Sequence, residues 1–211
     1  NKTVYTYRKA LGEQLARENN LTADVVVPIP DSGVSAAIGF SQKSFIPFEL
    51  GSIRSHYVGR TFIEPSQTIR QFGVKLKHSV NKSCIENKKV ILIDDSIVRG
   101  TTASKIVKMV YEAGAKEVHL GISCPPIKHP DFYGIDTPNY NELIASQYNL
   151  NEMTKLVGAK SLFFLSLSGT YKAMGCNERN PETPQFTDHC FTGEYPIDVS
   201  EILKINEKIN E

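Results

Sequence analysis

The run Ile91-Leu92-Ile93-Asp94-Asp95-Ser96-Ile97-Val98-Arg99-Gly100-Thr101-Thr102 concentrates more chemistry than any other stretch of the chain. An apolar strand ends in two adjacent carboxylates, and a short loop with hydroxyls and one glycine then opens a helix. Unpaired backbone N–H groups at a helix start, with threonine hydroxyls and a glycine that allows close approach, form a cradle for an anion. Two carboxylates beside such a cradle suit Mg2+, which takes one or two carboxylates together with substrate oxygens. Asp94 and Asp95 alone could equally cap the following helix. Gly100-Thr101-Thr102 in register turns the pair toward ligand chemistry. The run is not a P-loop, and the chain has no GxGxxG dinucleotide fingerprint.

A second chemical signal is a lopsided charge. Residues 53–80 hold Arg54, Arg60, Arg70, Lys75 and Lys77 against Glu64 alone, a net +4, with breaks at Gly59, Pro65 and Gly73. A connection this long is a solvated loop or a functional lid. Cations on a lid beside an anion cradle would neutralise a negatively charged ligand and exclude water.

The elements that must position these residues read as alternating apolar runs and amphipathic stretches, the pattern of βαβ units around a parallel sheet. The first helix is expected over Tyr7 to Glu18. A strand follows over Val25 to Ile29, closed by the turn Pro30-Asp31-Ser32-Gly33 and a helix over Val34 to Gln42. Lys89 to Ile93 is continuous and β-branched, as befits a strand buried on both faces. Thr102 to Ala113 shows helical spacing stopped by Gly114. Further strands are expected at Glu117 to Ser123 and Ser161 to Leu167, with short helices at Asn139 to Ala145 and Asn151 to Val157. Met174 to Ile197 reads as irregular, and Val199 to Ile209 returns to helical spacing.

Composition sets the outer bounds. The chain has 211 residues, 40% hydrophobic and 22% charged, with Lys+Arg 24 against Asp+Glu 23 and a net +1. That length suits one generous domain with a real core. No global field draws the chain to nucleic acid or to a membrane surface, and no apolar run approaches a spanning length. Cys84, Cys124, Cys176 and Cys190 are too widely spaced for a CxxC pair, which suits a reducing, cytoplasmic setting without a dedicated zinc site. No initiator Met is present at Asn1, so the chain reads as processed or cut from something longer.

Several runs together carry a resemblance. They are Val27-Pro28-Ile29-Pro30-Asp31-Ser32-Gly33, Tyr57-Val58-Gly59-Arg60-Thr61-Phe62-Ile63, the run through Thr102, Tyr133-Gly134-Ile135-Asp136 and Phe191-Thr192-Gly193. The chain resembles the glutamine phosphoribosylpyrophosphate amidotransferase family over essentially its whole length. The resemblance implies one α/β domain over residues 1–211, a flavodoxin-like parallel sheet of the type I phosphoribosyltransferases. A small hood would be built from both chain ends, and residues 53–80 would be the long flexible loop. It implies Mg2+ held by Ser32, Asp94 and Asp95, with Asp31, Ser32 and Gly33 facing the pyrophosphate. Ser96, Ile97, Val98, Arg99, Gly100, Thr101 and Thr102 would hold the 5-phosphate, while Tyr57, Arg60 and Lys77 would act on the substrate.

The implied reaction joins ammonia to phosphoribosyl pyrophosphate, giving 5-phosphoribosylamine and pyrophosphate at the start of purine synthesis. Purine nucleotides are implied as inhibitors, and the family implies a homo-oligomer. The glutaminase half that opens the family's intact enzyme is missing here, so glutamine use is not expected. One branch of the family carries an iron–sulfur cluster on cysteines. Asp131 stands where one of those cysteines would be, and Cys190 stands alone, so no cluster is expected and Cys190 reads as a buried small side chain. A nucleobase-salvage transferase and a non-catalytic sensor of phosphoribosyl pyrophosphate are the alternatives. The Tyr57–Phe62 loop argues against the first, and the lack of a clustered basic helix argues against a nucleic-acid-binding regulator.

Overall fold

The computed structural model describes residues 3–54, 78–135, 137 and 139–199. Its centre is a four-stranded parallel sheet made of β1 (Val25–Pro28), β4 (Lys89–Asp94), β5 (Glu117–Ile122) and β6 (Ser161–Phe164), side by side in that order. Val26 adds a parallel bridge on the outer side of β1. Its N–H donates to the Pro47 carbonyl at 2.8 Å, and its own carbonyl accepts the Glu49 N–H at 3.0 Å. Counting that edge segment as the second strand, the spatial order is 2-1-3-4-5, the flavodoxin-like arrangement. The order therefore reverses between β1 and β4, and ligands bind outside the carboxyl ends of strands at such a reversal.

Apart from their ends and His119 in β5, the strands are apolar without alternation because both faces are covered. Val25, Val27, Val90, Leu92, Val118, Leu120 and Leu162 pack on α4 (Thr101–Glu112) and α6 (Leu150–Val157). Val26, Ile91, Ile93 and Phe163 pack on α1 (Val4–Glu18) and α2 (Val34–Ser44), through Leu15, Ala36, Ala37 and Phe40. Truncating a fully buried residue such as Leu92 would cost roughly 2–5 kcal/mol. No helix among the described residues is long and apolar enough to cross a membrane.

Four local expectations need correction. Leu165 is buried and apolar, so Ser161 to Leu167 read as one strand. The strand instead ends at Phe164, and Ser166 caps α7 (Leu167–Met174) by accepting the Gly169 N–H at 2.8 Å. The ends of the basic segment are paired: β2 (Ser52–Arg54) and β3 (His78–Val80) form an antiparallel ribbon, followed by the short α3 (Lys82–Ile85). The stretch expected as one helix from Asn139 divides into a 3-10 turn at Tyr140–Glu142 and α5 (Ile144–Gln147). The C-terminal stretch expected to be irregular contains the one-turn α8 (His189–Thr192). The helical spacing expected beyond Val199 lies outside the described residues.

Candidate functional site

Two chain segments meet at the strand-order reversal. Gly33 lies buried at the close of the turn after β1, with its N–H on the Ile29 carbonyl at 3.0 Å. A Cβ there would stand 2.3 Å from the Ile93 carbonyl oxygen, so only glycine lets the turn press against β4. The Pro30–Asp31 peptide is cis. This approach sets Ser32 beside the end of β4, where its hydroxyl donates to Asp94 Oδ1 at 3.4 Å.

Asp94 and Asp95 follow the last buried residue of β4 and are both half-buried. The Asp95 N–H donates to Asp94 Oδ1 at 2.9 Å, and the Ser96 hydroxyl donates to Asp95 Oδ1 at 3.2 Å. Burial, reinforced by the charge of Asp95, pushes the Asp94 carboxyl up to about 7, against the hydrogen bonds from the Asp95 backbone and Ser32. The two carboxylates meet each other and otherwise hydroxyls and one N–H among the described residues, a corner rich in oxygen and short of positive charge.

The loop after Asp95 is tied down from behind. Ile97 is buried in the core, so its contribution to the front of the loop is its backbone. The Val98 carbonyl accepts the Ile144 N–H at 2.9 Å, and Arg99 forks onto Glu142 at 3.0 and 3.3 Å. The Arg99 guanidinium is thereby engaged on the loop's flank. Gly100 is left-handed at φ 77, and a Cβ would stand 2.7 Å from Ile144 Cδ1. α4 begins at Thr101 with no side-chain cap and no acid in its first turn, while Thr101 and Thr102 are exposed. Its first-turn N–H groups keep the capacity to bind an anion.

The structure thus brings together Ser32, Gly33 and the whole run from Asp94 to Thr102. Asp31 sits at the turn's exposed side and pairs with Arg54, Nη1 to Oδ2, at 3.3 Å. Tyr57, Arg60 and Lys77 lie outside the described residues. Sequence reasoning missed Ser123, a buried residue just past β5. Its N–H and hydroxyl both donate to the Asp94 carbonyl, at 2.9 and 3.1 Å, fixing the strand end. A hydroxyl where the adjacent strand ends was the available signal. Behind the corner, burial pushes the Cys124 thiol up, with the nearby Asp95 and Asp94 charges adding to the effect.

Away from the corner, Asp131 is a hydrogen-bond hub. Its Oδ1 accepts the N–H groups of Tyr133 and Ile135, each at 2.8 Å, and Oδ2 meets His189 Nε2 at 2.7 Å. Cys190 lies within the same cluster, half-buried where a buried small side chain is expected.

The profile of the phosphoribosyl transferase domain matches residues 7–134. Amidophosphoribosyltransferase of Rhizobium etli is 61% identical over 196 residues, which are 92% of this chain and 40% of that protein. The Bacillus subtilis amidophosphoribosyltransferase is 50% identical over 93% of this chain and 41% of its own length. The chain therefore spans about two fifths of the curated relatives it matches. A structure of glutamine phosphoribosylpyrophosphate amidotransferase from B. subtilis, complexed with ADP and GMP, superposes with a TM-score of 0.82. That match has 48% identity and covers 94% of this chain and 44% of the other. The matched profile spans more than half of the sequence and includes both the turn after β1 and the loop after β4: the chain belongs to the phosphoribosyl transferase domain family.

Proposed function

We propose that this chain is the phosphoribosyltransferase part of an amidophosphoribosyltransferase. It converts phosphoribosyl pyrophosphate and ammonia to 5-phosphoribosylamine and pyrophosphate, the entry to purine synthesis. The observation that carries this reading is the meeting of Ser32, Asp94 and Asp95 beside the uncapped start of α4. Its similarity to the named relatives supports the acceptor assignment.

The donor set fits Mg2+: one hydroxyl and two carboxylates are hard oxygen ligands, and the corner lacks a compensating cation among the described residues. Ser32, Asp94 and Asp95 would hold it, and when bound it would stabilise charge on the departing pyrophosphate. The N–H groups at the start of α4, with Thr101 and Thr102, hold the 5-phosphate and fix the ribose in place. The turn at Asp31, Ser32 and Gly33 faces the pyrophosphate. Tyr57, Arg60 and Lys77, on the basic segment, contact the substrate and add positive charge at the leaving group. Ammonia attacks the ribose carbon as pyrophosphate departs, and no side chain forms a covalent bond. Catalysis is then positioning, electrostatics and exclusion of water.

On the same reading residues 1–211 act as one unit with a hood drawn from the chain ends. The chain works in the cytoplasm within a homo-oligomer, and purine nucleotides inhibit it. Pyrophosphate release measured with ammonia, with adenine and with no acceptor tests the function. Release dependent on ammonia is expected. Release dependent on adenine would assign the chain to salvage, and binding without turnover would make it a sensor.

A further inference from the structure

We propose that Arg54 is a pyrophosphate-binding residue, held on the turn by Asp31 until the substrate's pyrophosphate takes it over. The inference rests on the reading that the corner binds phosphoribosyl pyrophosphate. Arg54 closes β2 opposite His78, and the base of that ribbon is pressed against β1. Ser52 is buried, the Gly51 carbonyl accepts the Asn81 N–H at 2.8 Å, and a Cβ on Gly51 would meet Val27 Cγ2 at 2.9 Å. The backbone from which Arg54 projects is therefore fixed relative to the turn after β1.

The guanidinium is only partly used. One Nη1 bond reaches Asp31 Oδ2 at 3.3 Å, while Nε is buried without a partner among the described residues. A desolvated donor with no acceptor is rare in folded proteins and marks a place where an acceptor belongs. The Asp31 side chain is 57% exposed, and single-contact pairs at that exposure are weak. A pyrophosphate offers more charge and several acceptor oxygens, and the planar guanidinium matches phosphate in a two-bond fork. Exchange of Asp31 for pyrophosphate therefore satisfies donors that Asp31 leaves unused. Asp31 adjoins Ser32, so the released Arg54 reaches its new partner without leaving the turn that borders Asp94.

The test compares two inhibitors of the ammonia-dependent reaction at fixed Mg2+: inorganic pyrophosphate, and ribose 5-phosphate, which lacks the pyrophosphate. In Arg54→Gln, the pyrophosphate inhibition constant and the KM for phosphoribosyl pyrophosphate should each rise about tenfold. The ribose 5-phosphate constant should stay within about twofold, and kcat should change less than either. Arg54→Lys keeps the charge but loses the fork, so its pyrophosphate constant should fall between the two. That variant carries the test if Arg54→Gln melts early. Equal weakening of both inhibitors, or of neither, overturns the role of Arg54. A wild-type chain that releases no pyrophosphate with ammonia overturns the underlying reading instead.

Discussion

Ser32 and Asp94 stand 62 residues apart in sequence, yet the Ser32 hydroxyl donates to Asp94 Oδ1 at 3.4 Å across the reversal between β1 and β4. This contact joins the turn after one strand to the carboxylates after its neighbour. It favours the Asp94 charge but is outweighed: burial and Asp95 raise the carboxyl to about 7 from an ordinary 3.8. On the proposed function, a bound cation would offset this cost of burying the Asp94 charge.

That cost is measurable. Between 3.8 and about 7 the unfolded chain has lost a proton that folded Asp94 keeps, so this group makes stability fall as pH rises through that window. Asp94→Asn removes the penalty. With a chelator present, its melting temperature at neutral pH should exceed the wild type's, while turnover should fall at least about tenfold, or 1.4 kcal/mol of transition-state stabilisation. Thermal melts beside pyrophosphate-release rates check both. A variant that melts earlier with unchanged turnover would make Asp94 a helix cap.

Gly100→Ala should displace the loop between β4 and α4. Alanine in a left-handed position costs roughly 1–2 kcal/mol, and its Cβ would press on Ile144 Cδ1. Urea unfolding should report that loss, and the KM for phosphoribosyl pyrophosphate should rise several-fold. A destabilised variant with an unchanged KM would separate the loop's position from substrate binding.

Asp188 should govern acid stability. Burial works against its charge, but Arg179, Tyr171 and Thr192 outweigh that and hold its carboxyl below 3.8. Its oxygens accept Arg179 Nε at 2.6 Å and the buried Tyr171 hydroxyl at 2.8 Å. This contribution is complete above 3.8 and is lost as pH falls through the lower folded value. Asp188→Ala leaves a partly buried guanidinium and a buried hydroxyl without this partner, and should cost roughly 3–5 kcal/mol at neutral pH. Chemical unfolding of the variant at neutral pH, and of the wild type on acidification, measures each part. A loss under 1 kcal/mol would place the network among weak surface pairs.

The legible parts of this protein are those whose signal is local. β4 shows itself because a strand covered on both faces needs no polar positions. The loop from Asp94 to Thr102 shows itself because carboxylates, glycine and hydroxyls follow one another directly. What stayed hidden depends on partners far along the chain. α7 contains Gly169 and Thr170, poor helix formers, and its start is fixed by Ser166 and by Glu18 on α1, which accepts the Ser166 N–H at 2.9 Å. The bridge at Phe48 sets the strand order with a single residue pair. Arg54 looked like one more cation on a basic segment, and only the folded ribbon sets it against Asp31.

The most direct test of the corner is calorimetric titration of phosphoribosyl pyrophosphate into the chain with and without Mg2+. One binding event is expected with Mg2+, weakened at least about tenfold by a chelator and by Asp94→Asn with Asp95→Asn. Binding of undiminished strength in the doubly substituted chain, or in the absence of Mg2+, would contradict the assignment of Ser32, Asp94 and Asp95 as the centre of the site.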